Sequence, residues 1–173
     1  MTATSFNVSP TIHKTGIEKF VDIGTHRLRV VLSDLPSEYT IVLEAGGGKD
    51  AVSYQAIQSK LASLTRMRVM SYDRSGFGCS ELGPARFNAE DEVKALKRCL
   101  EIQGFAEKLI LVGLSYGGFL IQLFTALYPE LVSGLVLKLR IPCFAGSKMS
   151  MMAAKPAPMR MADCTALGIS AMK

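Results

Sequence analysis

Four aliphatic residues in a row, Leu109-Ile110-Leu111-Val112, carry no charge and read as a strand buried on both faces. They run into Gly113-Leu114-Ser115-Tyr116-Gly117, after which Leu120, Leu123, Phe124 and Leu127 recur at helical spacing until Pro129 stops the helix near Tyr128. Upstream, Ile17–Ile23 and His26–Leu32 read as two strands joined by the turn Gly24-Thr25, a loop so short that they must pair antiparallel. Thr40–Leu43 is a third, buried strand, and Asp50–Leu64 a helix whose apolar face is predicted to hold Ile57, Leu61 and Leu64. Arg66–Tyr72 is a fourth strand. A longer helix is predicted from Asn88 to Gln103: Asn88 caps it, Glu90, Asp91 and Glu92 favour its dipole, Val93, Leu96 and Leu100 form its stripe, and Gly104 ends it. Leu131–Leu139 supplies a sixth strand. From Ile141 onward, Pro142, Gly146, Pro156 and Pro158 break the pattern.

Strands alternating with helices after an initial hairpin predict an α/β fold with a mostly parallel sheet and helices on both faces. In such sheets the functional crevice lies beyond the carboxyl ends of the strands. Three glycine-bearing loops fall at those ends: Gly46-Gly47-Gly48, Gly76-Phe77-Gly78, and Gly113-x-Ser115-x-Gly117. The last stands between a buried strand and a helix, the context of a nucleophile elbow. A turn that sharp strains the serine backbone, and the residues two before and two after it must be small for strand and helix to pass.

Composition divides the chain. Its 173 residues suffice for one domain with a substantial core. Of the net charge of +5, all arises in residues 138–173, which hold six basic residues and only Asp163 as an acid, together with six of the nine methionines. Residues 1–137 carry fourteen charges of each sign. We therefore expect a core over 1–137 and a basic, Met-rich tail or partial cap over 138–173. The tail's charges are scattered rather than clustered, which argues against a nucleic-acid surface. No run of eighteen apolar residues predicts a membrane span, the first ten residues do not read as a secretory signal, and Cys79, Cys99, Cys143 and Cys164 are too widely spaced for a zinc site or disulfide framework. Reduced thiols and a cytoplasmic location are the expectation.

The runs Glu44-Ala45-Gly46-Gly47-Gly48, Ser71-Tyr72-Asp73-Arg74-Ser75-Gly76-Phe77-Gly78-Cys79-Ser80, Gly113-Leu114-Ser115-Tyr116-Gly117-Gly118, Tyr128-Pro129-Glu130 and Gly134-Leu135-Val136-Leu137 together resemble the α/β-hydrolase superfamily over residues 17–137. The resemblance implies a serine hydrolase acting on a small ester or related acyl substrate, with Ser115 as nucleophile and the N–H groups of Gly47 and Tyr116 as the oxyanion hole. It implies no organic cofactor and no metal. Serine at the elbow points away from the dehalogenase and epoxide-hydrolase branches, which use aspartate there. The family's catalytic residues follow in the order Ser, Asp or Glu, His. Here His13 and His26 both precede Ser115, and only Glu130 and Asp163 are acidic after it. A chain truncated after the sixth strand, or spliced or frame-shifted, is therefore expected. Its sheet edge would be open to self-association. The rival reading is a catalytically incompetent isoform or remnant that binds a partner or apolar ligand.

Other residues carry plainer expectations. His26 is expected to decorate the hairpin away from the strand tips. Asp163 reads as a solvated loop residue. Asp73 and Arg74 are expected to pair or hydrogen-bond locally in a structural loop. Glu44 is either a buried acid by the oxyanion loop or a residue bonded to nearby backbone. Gly76-x-Gly78 lacks the third glycine of a dinucleotide fingerprint, with Glu81 in its place.

Overall fold

A computed structural model describes residues 16–33 and 35–138, together with the backbone of two short strands, 12–13 and 151–154. The elements are β1 (Ile12–His13), β2 (Gly16–Asp22), β3 (Arg27–Ser33), β4 (Thr40–Glu44), α1 (Gln55–Thr65), β5 (Arg68–Tyr72), α2 (Ala89–Ile102), β6 (Leu109–Leu114), α3 (Tyr116–Leu127), β7 (Val132–Lys138) and β8 (Met151–Ala154). Asp163, Cys143, Cys164 and the His13 side chain, like the tail apart from Lys138 and the β8 backbone, lie outside the described residues.

The strands form one sheet in the order β1-β2-β3-β5-β4-β6-β7-β8. The four central strands, β5, β4, β6 and β7, run parallel, and β3 and β8 join them antiparallel from either side. After β4 the chain crosses through α1 to β5 on one side, then through α2 to β6 on the other. The strand order thus reverses at β4, and the loops leaving β4 and β6 are neighbours at the carboxyl end of the sheet, where such folds open a crevice.

Both faces of the sheet are covered, so the central strands read as continuous apolar runs. Val42, Met70, Leu109 and Leu111 pack with Val93, Leu96 and Leu100 of α2 and Leu120, Ile121 and Phe124 of α3. Ile41, Leu43, Val69 and Ile110 point the other way, toward Tyr54 and Ala62 beside and within α1. α2 begins as its sequence predicts, with Asn88 accepting from the N–H groups of Glu90 and Asp91 and the Asp91 carboxylate accepting from the Asn88 N–H.

α1 differs from expectation. A 3-10 turn over Ala51–Tyr54 precedes it, and the helix is rotated so that Ile57 and Leu64 are 49% and 59% exposed. The buried face holds Gln58 and Ala62 instead. Gln58 belongs there because its amide donates to the Val31 and Val69 carbonyls while its oxygen accepts from Ser71 Oγ. These three hydrogen bonds satisfy the polar atoms that burial of Gln58 takes out of water. The fourth strand also starts later, at Arg68, because Arg66 caps α1 in the left-handed conformation.

Candidate active site

β6 ends at Leu114, and α3 begins at Tyr116. The single residue between them, Ser115, has φ 53° and ψ −117°, a backbone conformation that L-residues rarely adopt. Strand and helix backbones approach closely enough that neither flanking glycine has room for a side chain. A Cβ on Gly113 would stand 2.6 Å from the Gly117 carbonyl oxygen, and one on Gly117 would stand 2.4 Å from the carbonyl oxygens of both Glu44 and Ala45. The second contact also fixes the neighbour: the end of β4 lies directly against the first turn of α3. Ser115 is exposed, and its hydroxyl has no hydrogen-bond partner among the described residues.

Residues 45–48 leave β4 along the elbow. A Cβ on Gly46 would lie 3.8 Å from Ser115 Cβ, and one on Gly47 3.8 Å from Tyr116 Cβ. The structure therefore brings together the three residues singled out from sequence, Ser115, Gly47 and Tyr116. The Gly47 and Tyr116 N–H groups find no acceptor among the described residues. Beside the serine, Tyr116 and Phe119 are part-exposed, their ring centroids 6.0 Å apart.

Beneath the loop lies a polar cluster around Glu44, of which the sequence offered the buried acid but not its partners Tyr72 and Arg74. Glu44 is fully buried; it accepts from the Tyr72 hydroxyl and, at 2.8 Å, from Arg74 Nη1. Arg74 also donates to the carbonyls of Ala45 and Gly46, the latter at 2.8 Å, and its Nε lies 3.5 Å from Glu92 Oε2. Burial raises the Glu44 carboxyl to about 7 against the opposing pull of the Arg74 charge. Burial likewise raises Glu92, again against Arg74, and holds the Tyr72 hydroxyl well above its ordinary range. Tyr54 closes the cluster by donating to the Glu44 carbonyl oxygen at 3.0 Å.

Asp73 hydrogen-bonds within its own loop, as expected, whereas Arg74 does not bond locally, because the chain sends the two side chains to separate partners. Asp73 accepts from the Ala51 N–H at 2.7 Å, the Cys79 N–H at 2.9 Å and Arg29 Nη1 at 3.2 Å. Arg74 reaches across to β4 and α2. Of the two alternatives for Glu44, the buried acid is the one observed, bonded to side chains. The only sequence signal for this cluster is a charged residue ending an otherwise aliphatic strand, which must be paired if buried.

His26 also needs correction. The β2–β3 turn lies at the same end of the sheet as the strand tips, since β3 starts beside the end of β5: the Asp73 N–H donates to the Arg29 carbonyl and the Glu81 N–H to that of Arg27. His26 is nevertheless three strand positions from β6, roughly 14 Å at ordinary strand spacing. Its ring nitrogens are engaged by Thr25 Oγ1 at 2.9 Å and Ser75 Oγ at 2.7 Å, and burial lowers its pKa against the pull of Glu81 and Asp22. Among the described residues no cluster of three His, Cys, Asp or Glu side chains is placed to hold a metal, and no helix is long and apolar enough to cross a membrane.

Comparison with known proteins agrees with this architecture. A family model described as the alpha/beta hydrolase fold matches residues 39–167. Among solved structures, Cfl2 from Burkholderia cenocepacia aligns with a TM-score of 0.65 and 26% identity, covering 78% of this chain and 46% of that one. Epoxide hydrolase A from Mycobacterium thermoresistibile aligns at 0.64 and 22% identity, covering 75% and 39% respectively. An alpha/beta hydrolase from Novosphingobium aromaticivorans gives 0.60 and 20% identity, covering 70% and 43%. The chain thus spans less than half the length of these structural relatives. No curated protein matches it.

Proposed function

We propose a function from one premise: the chain belongs to the α/β-hydrolase fold family. On this reading it is a serine hydrolase framework for a small ester or related acyl substrate. Ser115 Oγ attacks the acyl carbonyl, and the Gly47 and Tyr116 N–H groups receive the developing oxyanion. The part-exposed rings of Tyr116 and Phe119 give the acyl or leaving group an apolar wall. The observation that carries this reading is the strained Ser115 between β6 and α3, flush against the glycine loop of β4. Serine at this position separates the chain's chemistry from that of epoxide-hydrolase relatives, whose likeness extends to the fold.

A serine hydroxyl needs a base to become a nucleophile at neutral pH. The sequence has no histidine after Ser115, and His26 is held by Thr25 and Ser75. The second reading is a chain that binds a partner or apolar ligand, and the observation that favours it is that His26, the one described histidine side chain, is engaged by Thr25 and Ser75. Removing the base from a triad enzyme leaves roughly 10³–10⁴-fold acceleration over water. We expect this chain alone to show turnover of that residual order.

Purified protein, beside Ser115→Ala, is tested with a fluorescent ester and a serine-directed fluorophosphonate. Slow, Ser115-dependent hydrolysis and labelling support the hydrolase framework. A well-folded chain with neither supports the binding reading. Vigorous turnover abolished by Ser115→Ala would reveal that another group acts as the base. We further propose that 1–137 is the core and 138–173 a basic tail, and that the protein works among cytoplasmic, reduced proteins. Self-association would run through β1 or β8, because β8 already pairs with the edge of β7. Both outer strands are short, a feature that blunts edge pairing.

A further inference from the structure

Arg74 heads the fully buried side chains in size, and burying a cation is costly unless it is paired and hydrogen-bonded. Its guanidinium does more than neutralise Glu44. One edge grips the carbonyls of Ala45 and Gly46, the two peptides that lead to Gly47. The rings of Phe77 and Tyr116 lie 5.0 and 5.4 Å from its central carbon. A single planar group therefore touches the end of β4, the glycine loop and the side chain of the first residue of α3.

The consequence follows from peptide geometry. The carbonyl of Gly46 and the N–H of Gly47 belong to one planar trans peptide and point in opposite directions. The carbonyl is held by Arg74 Nη2 at 2.8 Å and by the Lys49 N–H at 3.2 Å. The Gly47 N–H must then face away from the buried guanidinium. Glycines at 46, 47 and 48 leave the loop with little conformational preference of its own, so its orientation has to be imposed from outside.

We infer that Arg74 is the positioning residue of the oxyanion site, fixing the Gly46–Gly47 peptide and bracing Tyr116 through one buried guanidinium. This rests on the reading of Gly47 as an oxyanion donor. Lysine would not substitute: a compact ammonium lacks the guanidinium fork that here serves two carbonyls and a carboxylate beside two aromatic rings.

The test uses the full chain labelled with nitrogen-15. Variants are Arg74→Lys, the double variant Arg74→Met with Glu44→Gln, which leaves no Glu44 carboxylate unpaired, and Phe124→Leu, a core change that lowers stability away from the loop. The backbone order parameter of the Gly47 amide should be about 0.85 in the wild type and in Phe124→Leu, and below about 0.6 in both Arg74 variants. Binding of phenylboronic acid to Ser115, read as a tetrahedral boron resonance, should weaken at least tenfold in the Arg74 variants and change less than twofold in Phe124→Leu. A folded Arg74 variant with a rigid Gly47 overturns the inference. So does a mobile Gly47 in the wild type, whatever the variants do. Failure of the wild type to bind the boronate would instead sink the oxyanion reading, while the Gly47 order parameter would still decide whether Arg74 holds the loop.

Discussion

Replacing Ser115 with glycine should stabilise the protein. Ser115 holds φ 53° and ψ −117°, and a non-glycine residue forced into so sparse a region costs about 1–3 kcal/mol. Glycine enters that region freely but loses about 0.5–1 kcal/mol more backbone entropy on folding. Little packing is lost with the side chain, since Ser115 is exposed and its hydroxyl has no partner among the described residues. The balance is a gain of roughly 0–2.5 kcal/mol, which in a domain of this size raises Tm by up to about 10 °C. Ser115→Ala keeps the Cβ and hence the strain, so it should stay within about 0.5 kcal/mol of the wild type. Urea unfolding followed by circular dichroism measures all three with a common slope. If Ser115→Gly proves less stable than Ser115→Ala, the elbow stores no strain and its backbone is not as described.

Gly117→Ala should be destabilising by about 1–3 kcal/mol or more, because its methyl would meet two backbone oxygens at 2.4 Å that no rotamer change can move; equal urea midpoints would refute the close approach of β4 to α3. Glu44 should make stability fall with rising pH. Its folded pKa, about 7, lies above the unfolded value near 4.5, so the folded state holds a proton that the unfolded chain releases between these values. The contribution is full below pH 4.5 and is lost as pH rises through 7, by up to about 3 kcal/mol. Urea midpoints at pH 5 and pH 8 should therefore separate more in the wild type than in Glu44→Gln, and equal separations would contradict it. Cys99, buried and pushed up to about 12 by that burial, should resist iodoacetamide in the folded protein while exposed Cys79 reacts; peptide mass mapping reads both.

Much of this fold was legible where local pattern and tertiary role agree. Leu109–Val112 is aliphatic because it is covered by helices on both faces, and Gly113 and Gly117 are glycines because backbone passes backbone there. Asn88 marks the start of α2 through its own hydrogen bonds. Legibility failed where long-range polar contacts decide. Helical spacing assigned Ile57 and Leu64 to the buried face of α1, but the carbonyls of Val31 and Val69 call for a buried amide, and Gln58 answers them. Arg74 looked like a local loop residue beside Asp73, and no periodicity could tell that its partners lie 28 to 30 residues away. The juxtaposition of Gly47 with Tyr116 followed from motif order, whereas the guanidinium beneath it depends on the third dimension.

The proposed site can be interrogated without a catalytic base. Phenylboronic acid accepts a lone pair of Ser115 Oγ into its empty boron orbital, the serine proton passes to solvent, and a tetrahedral anion forms in place of the tetrahedral intermediate of acyl transfer. A crystal structure of the chain soaked with this compound should show boron bonded to Ser115 Oγ. One boronate oxygen should lie about 2.7–3.1 Å from both the Gly47 and Tyr116 nitrogens, the distance an oxyanion donor requires. Boron bound elsewhere, or bound to Ser115 with its oxygens out of reach of either N–H, would contradict the assignment of this elbow as an acyl-transfer site.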